Sequence, residues 1–117
     1  MDNSELCTLE KGIQAFEQGD YVLAFAFLSV LAEKGNPQAQ SYLGCMYQGG
    51  LGFPANGEQA VIWYMKAAEQ EITAGLVSAI AYNNLATIYT TGMLGVVADK
   101  KLAGIYLEKA RKLGFPI

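Results

Sequence analysis

Apolar residues along this chain recur every three to four positions, the period of a helix with one buried face. Ala39, Leu43, Met46 and Tyr47 form one such stripe. Asn36-Pro37 ahead of it and Gly49-Gly50 behind it are start and stop signals, which predicts a helix over residues 38–48. A second stripe, Ala60, Trp63, Tyr64, Ala67 and Ala68, predicts a helix over about residues 57–71. In both stripes small residues face large ones, so the two read as an αα-hairpin in which alanines permit close approach while Tyr47 and Trp63 fill the space. One hairpin cannot bury both stripes, and such pairs must stack on neighbours.

The pattern is repeated. Ala60-x-x-Trp63-Tyr64-x-Lys66-Ala67-Ala68 aligns with Ala103-x-x-Tyr106-Leu107-x-Lys109-Ala110 at an offset of 43, and Leu43-Gly44-x-x-Tyr47 with Leu85-Ala86-x-x-Tyr89 at 42. Ala24-x-x-Phe27-Leu28-x-Val30-Leu31-Ala32 precedes the Ala60 block by 36. Three copies of one unit are therefore expected, over about residues 2–35, 36–72 and 73–114, with an apolar tail at 115–117. Residues 21–32 are apolar all round, which reads as a helix covered on more than one side, or as one whose outer face meets a second protein. Between Ala68 and Leu85 there are about six more residues than between Ala32 and Leu43, so longer helices or a bulged loop around residues 73–76 are expected. Within the units the connections are Gly19-Asp20, then residues 49–56, then residues 92–99; the glycines in them imply positive φ or close backbone contact. Gly49-Gly50-Leu51-Gly52 is not a phosphate cradle, because it lacks a following lysine and a preceding strand.

The middle copy, Leu43-Gly44-x-x-Tyr47-x-x-Gly50-x-Gly52-Phe53-x-x-Asn56-x-x-Gln59-Ala60-x-x-Trp63-Tyr64-x-Lys66-Ala67-Ala68, resembles the Sel1-like repeat, a relative of the tetratricopeptide repeat. Phe53, Asn56 and Gln59 stand where that pattern has valine, aspartate and lysine. The third copy keeps Tyr89, Gly92, Gly95, Val96, Asp99, Ala103, Tyr106, Lys109 and Ala110, with Ala86 for glycine and Arg111 for the final alanine. The first copy, with Gly19-Asp20-Tyr21-x-x-Ala24, has the shorter turn of a plain tetratricopeptide repeat. The resemblance implies an all-α fold, a right-handed superhelix of about three stacked antiparallel helix pairs, and a non-enzymatic adaptor or scaffold role.

Composition narrows the chemistry. The chain has 117 residues, 52% hydrophobic and 16% charged, and no histidine, which removes the usual general base and the commonest metal ligand. No cofactor and no metal are expected. A net charge of −3 and a single arginine, Arg111, argue against a nucleic-acid surface. Cys7 and Cys45 lack a C-x-x-C spacing and read as small packing residues. The longest uncharged run near the N-terminus, residues 21–32, is too short for a membrane span, and residues 1–10 hold three acids and no basic stretch, so no secretory signal and a cytoplasmic location are expected. Lys66 and Glu69, three apart, read as an exposed ion pair and not as a catalytic pair.

In such a superhelix the first helices of each pair line the inner wall. Gln38, Ser41, Cys45 and Gln48 in the middle copy, and Asn83, Thr87 and Thr90 in the third, point away from their partner helices; these amides and hydroxyls suit an extended peptide backbone. The expected function is a protein-interaction module that holds a peptide or protein partner on this concave face. The alternatives are a small immunity or inhibitor protein that neutralises a toxin or effector by tight binding, and self-assembly by end-to-end stacking. Gly114 is a plausible helix C-cap, and Phe115 and Ile117 are expected either to fold back over the last helix pair as a cap or to dock in a second copy as a homodimer.

Overall fold

A computed structural model describes residues 2–116. Six helices follow one another: α1 (Asn3–Glu17), α2 (Tyr21–Glu33), α3 (Pro37–Gly49), α4 (Gly57–Ala68), α5 (Gly75–Thr91) and α6 (Lys100–Lys112). Five of them begin at an acidic or amide side chain. Asp2, Asp20, Asn36, Asn56 and Asp99 each accept a hydrogen bond from the amide three residues on, satisfying a donor that the helix itself leaves open. Each helix packs on its sequence neighbours, and α3 also touches α5, so the helices form consecutive antiparallel pairs with α1, α3 and α5 in one layer and α2, α4 and α6 in the other. The shortest dimension of the molecule, 21 Å, is that of two helix layers. The fold is an α/α solenoid of three helix pairs.

One hydrogen bond marks every pair. The amide of the cap residue on the second helix donates to a carbonyl near the end of the first: Asp20 to Ala15 at 2.9 Å, Asn56 to Tyr47 at 2.9 Å and Asp99 to Tyr89 at 2.8 Å. Ala15 therefore stands where Tyr47 and Tyr89 stand, and α1 is the first half of the first repeat, which its own sequence conceals. Three residues earlier, Gly12 and Gly44 occupy the point where the two helices of a pair come closest. A Cβ on Gly12 would lie 2.7 Å from Leu28, and one on Gly44 would lie 2.6 Å from the ring of Tyr64, so only glycine lets the helices meet at this distance.

The repeat-signature side chains make the core. Leu43, Ala60, Tyr64, Ala67, Leu85, Ala103 and Ala110 are buried, Trp63, Tyr47, Tyr89 and Tyr106 partly so, and Gly50, Gly52, Gly92 and Gly95 take positive φ in the loops. One cluster joins α1, α2 and α3 around Leu28 and Leu43; the other joins α4, α5 and α6 around Tyr64 and Leu85. A polar lock ties the repeats together. Gln40, almost fully buried, donates to the Ala32 carbonyl at 3.1 Å, and Gln70 donates to Gln40 at 2.8 Å and to the Gly35 carbonyl at 2.9 Å.

Several expectations are corrected. The fourth helix ends at Ala68, not at residue 71, because Gln70 turns back to bond Gly35 and Gln40, a tertiary stop that no glycine or proline announces. The extra residues before Leu85 form both a longer connection, residues 69–74, and an additional turn at the start of α5. α2 is buried only along Ala24, Leu28, Leu31 and Ala32; Val22 and Val30 are 76% and 49% exposed, because α1 and α3 cover one side of it. Cys7 is exposed, although the equivalent Ala39 and Ala81 are buried, and Cys45 is half-buried. Lys66 does not pair with Glu69: its ammonium lies over the Trp63 ring, 4.5 Å from the centroid, and the ion pairs among the described residues are Lys34–Glu5 and Arg111–Glu108. At the C-terminus the Phe115 amide donates to the Ala110 carbonyl at 3.0 Å, and its ring packs against the second cluster. Ile117 lies outside the described residues.

Candidate interaction surface

The first helices of the three pairs leave a groove between them. It encloses about 310 Å³ and is lined by Phe16 from the end of α1, by Gln38, Ser41, Tyr42 and Cys45 from α3, and by Val77, Ile80 and Asn84 from α5. Three of the seven predicted residues, Gln38, Ser41 and Cys45, are brought together here. Gln48 is not available to a ligand in the same way, because its Oε1 accepts the Tyr64 hydroxyl at 2.8 Å and braces the two helices of the middle pair. Asn83, Thr87 and Thr90 line a different depression, of about 290 Å³, between α5 and α6 together with Lys100, Ala103, Gly104 and Leu107. The Thr87 and Thr90 hydroxyls donate to their own helix, at the Asn83 and Ala86 carbonyls, 3.1 and 2.7 Å away.

The residues that the sequence reading missed had a signal in the repeat itself. Ile80 and Asn84 fall 42 positions after Gln38 and Tyr42, the offset already established, so they are the same places on the next helix. Val77 belongs to the added turn of α5, for which the middle copy has no counterpart. Phe16 belongs to the first helix whose repeat character was hidden.

Among the described residues, no charged side chain lines the groove. Burial pushes the Cys45 thiol up, against the opposing hydrogen bond with Tyr64, so the sulfur stays protonated at neutral pH and is a poor nucleophile. Burial, with Glu17 and Cys45 nearby, also raises the Tyr42 hydroxyl. What remains is a slot lined by aromatic and aliphatic side chains, in which Gln38, Ser41 and Asn84 supply both donors and acceptors. Among the described residues no three His, Cys, Asp or Glu side chains gather as a metal site, and no helix is long and apolar enough to cross a membrane.

The Sel1 repeat family matches three times, at residues 5–36, 37–71 and 79–115. This chain belongs to the Sel1 repeat family. Sel1 repeats generally mediate protein–protein interaction and serve as non-enzymatic scaffolds. Among curated proteins, the chain is similar to chitin synthase regulatory factor 3 of Schizosaccharomyces pombe, 29% identical over 102 residues that make up 87% of this chain and 10% of that protein. Among solved structures it is similar to a protective antigen of uropathogenic Escherichia coli with an SLR fold (TM-score 0.82, 29% identity, 95% of this chain and 23% of that one). It is also similar to a Sel1 repeat protein from Oxalobacter formigenes (TM-score 0.76, 33% identity, 89% of this chain and 40% of that one). The chain thus spans about a tenth of its curated relative and under half of each solved one.

Proposed function

We propose that this Sel1 repeat chain is a protein-interaction module that holds an extended, uncharged segment of a protein partner in the groove between α1, α3 and α5. The groove's lining carries the reading. Phe16, Tyr42, Val77 and Ile80 offer apolar contact, and Gln38, Ser41 and Asn84 offer hydrogen bonds at intervals along the slot. A helix has its backbone groups satisfied internally, whereas an extended segment needs partners for them, which amides supply. A slot without charge selects against acidic and basic segments, because a charge placed there loses water and gains no counter-ion.

The test is a selection from a library of random decapeptides on the intact chain, followed by amide chemical-shift mapping of the selected peptides. Neutral peptides with an aliphatic or aromatic anchor are expected, shifting Ser41, Tyr42 and Asn84, and Ile80→Arg at the exposed rim should weaken them at least tenfold. Selection of charged peptides, or binding indifferent to Ile80→Arg, would sink the proposal.

A further inference from the structure

Asn56 and Gly57 form the one Asn-Gly step in the chain; the other asparagines, Asn3, Asn36, Asn83 and Asn84, precede Ser, Pro, Asn and Leu. Such a step is chemically fragile, because a following residue without a Cβ lets its amide nitrogen swing onto the asparagine side chain. Packing explains why the glycine is there. Gly57 is buried under the loop of the third repeat, and a Cβ on it would lie 2.4 Å from the Leu94 carbonyl oxygen, 2.8 Å from Val96 and 2.9 Å from Met93. The contact between repeats therefore requires the residue that makes Asn56 reactive.

The same contact restrains the reaction. The Gly57 N–H, whose nitrogen would be the nucleophile, donates to the Leu94 carbonyl at 3.0 Å, and Asn56 Oδ1 accepts the Gln59 amide at 3.1 Å as the cap of α4. The Asn56 backbone is anchored as well, its N–H donating to the Tyr47 carbonyl at 2.9 Å and its carbonyl accepting from Ala60 at 3.0 Å. Ring closure needs the nitrogen and the side chain released and the peptide turned, so residues 92–97 must first lift from the start of α4. We propose that Asn56 is a deamidation site guarded by the loop of the third repeat, reacting from a state in which that loop has lifted while the rest of the stack stays folded. In that state the Gly57 nitrogen bonds to Asn56 Cγ, the Cγ–Nδ2 bond breaks, and ammonia leaves with the Gly57 amide proton, closing a succinimide. Water then opens the ring at either carbonyl. Opening at the side-chain carbonyl leaves aspartate, which keeps the cap as Asp20 and Asp99 do. Opening at the backbone carbonyl leaves isoaspartate, whose extra main-chain methylene carries Gly57 off Leu94 and whose shortened side chain no longer reaches Gln59, so the joint between the second and third repeats is lost.

The test incubates the intact chain at mildly alkaline pH and follows the amide-to-acid mass gain at Asn56 by peptide mapping, with isoaspartate scored by methyltransferase labelling. The folded chain is expected to convert at least about tenfold more slowly than the chain unfolded in urea. The slow-down should be no smaller than the hydrogen-exchange protection factor of the Gly57 amide, since both reactions need the same N–H released. Gly95 has φ +86°, so Gly95→Ala strains the guarding loop and should speed conversion about threefold or more. Gly12→Ala strains the first pair, where its Cβ would lie 2.7 Å from Leu28, and should leave the rate unchanged. Equal rates in the folded and unfolded chain, a slow-down smaller than the Gly57 protection factor, no acceleration by Gly95→Ala, or an equal acceleration by Gly12→Ala would each overturn the proposal.

Discussion

At the scale of single residues, the contrast among helical glycines shows how context decides a substitution. Alanine is favoured over glycine in a helix by about 1 kcal/mol. At Gly104 nothing opposes that gain, and Gly104→Ala is expected to raise the urea midpoint by the equivalent of ~1 kcal/mol. At Gly44 the new methyl would press into the Tyr64 ring, which cannot step aside because its hydroxyl is held by Gln48. Overpacking of this kind costs about 1–3 kcal/mol, so Gly44→Ala is expected to lower stability in the same assay despite its better propensity. The sequence names Gly44 as a signature position, but only the packing shows that its role is contact and not turn geometry. Gly12, which has the same role, is invisible to the alignment because its partner is Leu28 instead of an aromatic ring.

Whole elements show where local signals suffice. Five helices start at an Asp or Asn cap, and the one start that the sequence reading took from such a residue, Asn36, falls where it predicts. α5 is the exception: Ala74 precedes it and makes no side-chain cap. Ala74→Asp is therefore expected to stabilise the chain by about 1 kcal/mol, read as a rise in thermal midpoint with no change in the groove's amide shifts. Helix ends are less legible. The end of α4 depends on hydrogen bonds from Gln70 to groups more than one helix away, and a stop made that way leaves no trace in local sequence. The same holds for α2, whose uniform apolar character says that it is buried somewhere but not which side the neighbours cover; the answer is the stripe of Ala24, Leu28 and Leu31.

The tyrosines act at the scale of the whole molecule, since their rings and hydroxyls join elements. Tyr82 sits buried on α5, donates to Glu71 at 3.0 Å in the preceding loop and stacks on Tyr106 of α6. Burial, with that hydrogen bond and the Glu71 carboxylate, pushes its hydroxyl up to about 12, and burial raises Tyr64 and Tyr106 as well. In the unfolded chain a tyrosine loses its proton near pH 10. The folded state then binds more protons than the unfolded one, so this contribution is intact below about pH 10 and is lost as pH rises from there to about 12. Thermal midpoints measured from about pH 8 to about pH 11 should be level and then fall, and Tyr82→Phe should reduce the fall even though it removes a hydrogen bond. By itself the sequence determined an arrangement of about three helix pairs and most of the core, though not the repeat character of α1, because periodicity, caps and internal repetition are local properties that one chain displays in order. It also pointed to the exposed amides and hydroxyls of the first helices. The tertiary structure alone decided how these are divided, with Gln38, Ser41 and Cys45 in one groove, Gln48 committed to Tyr64, and Asn83, Thr87 and Thr90 in a depression between α5 and α6. The physical reason is that a residue's neighbours across a solenoid are set by how each pair lies on the next, so equivalent positions in successive repeats meet different surroundings.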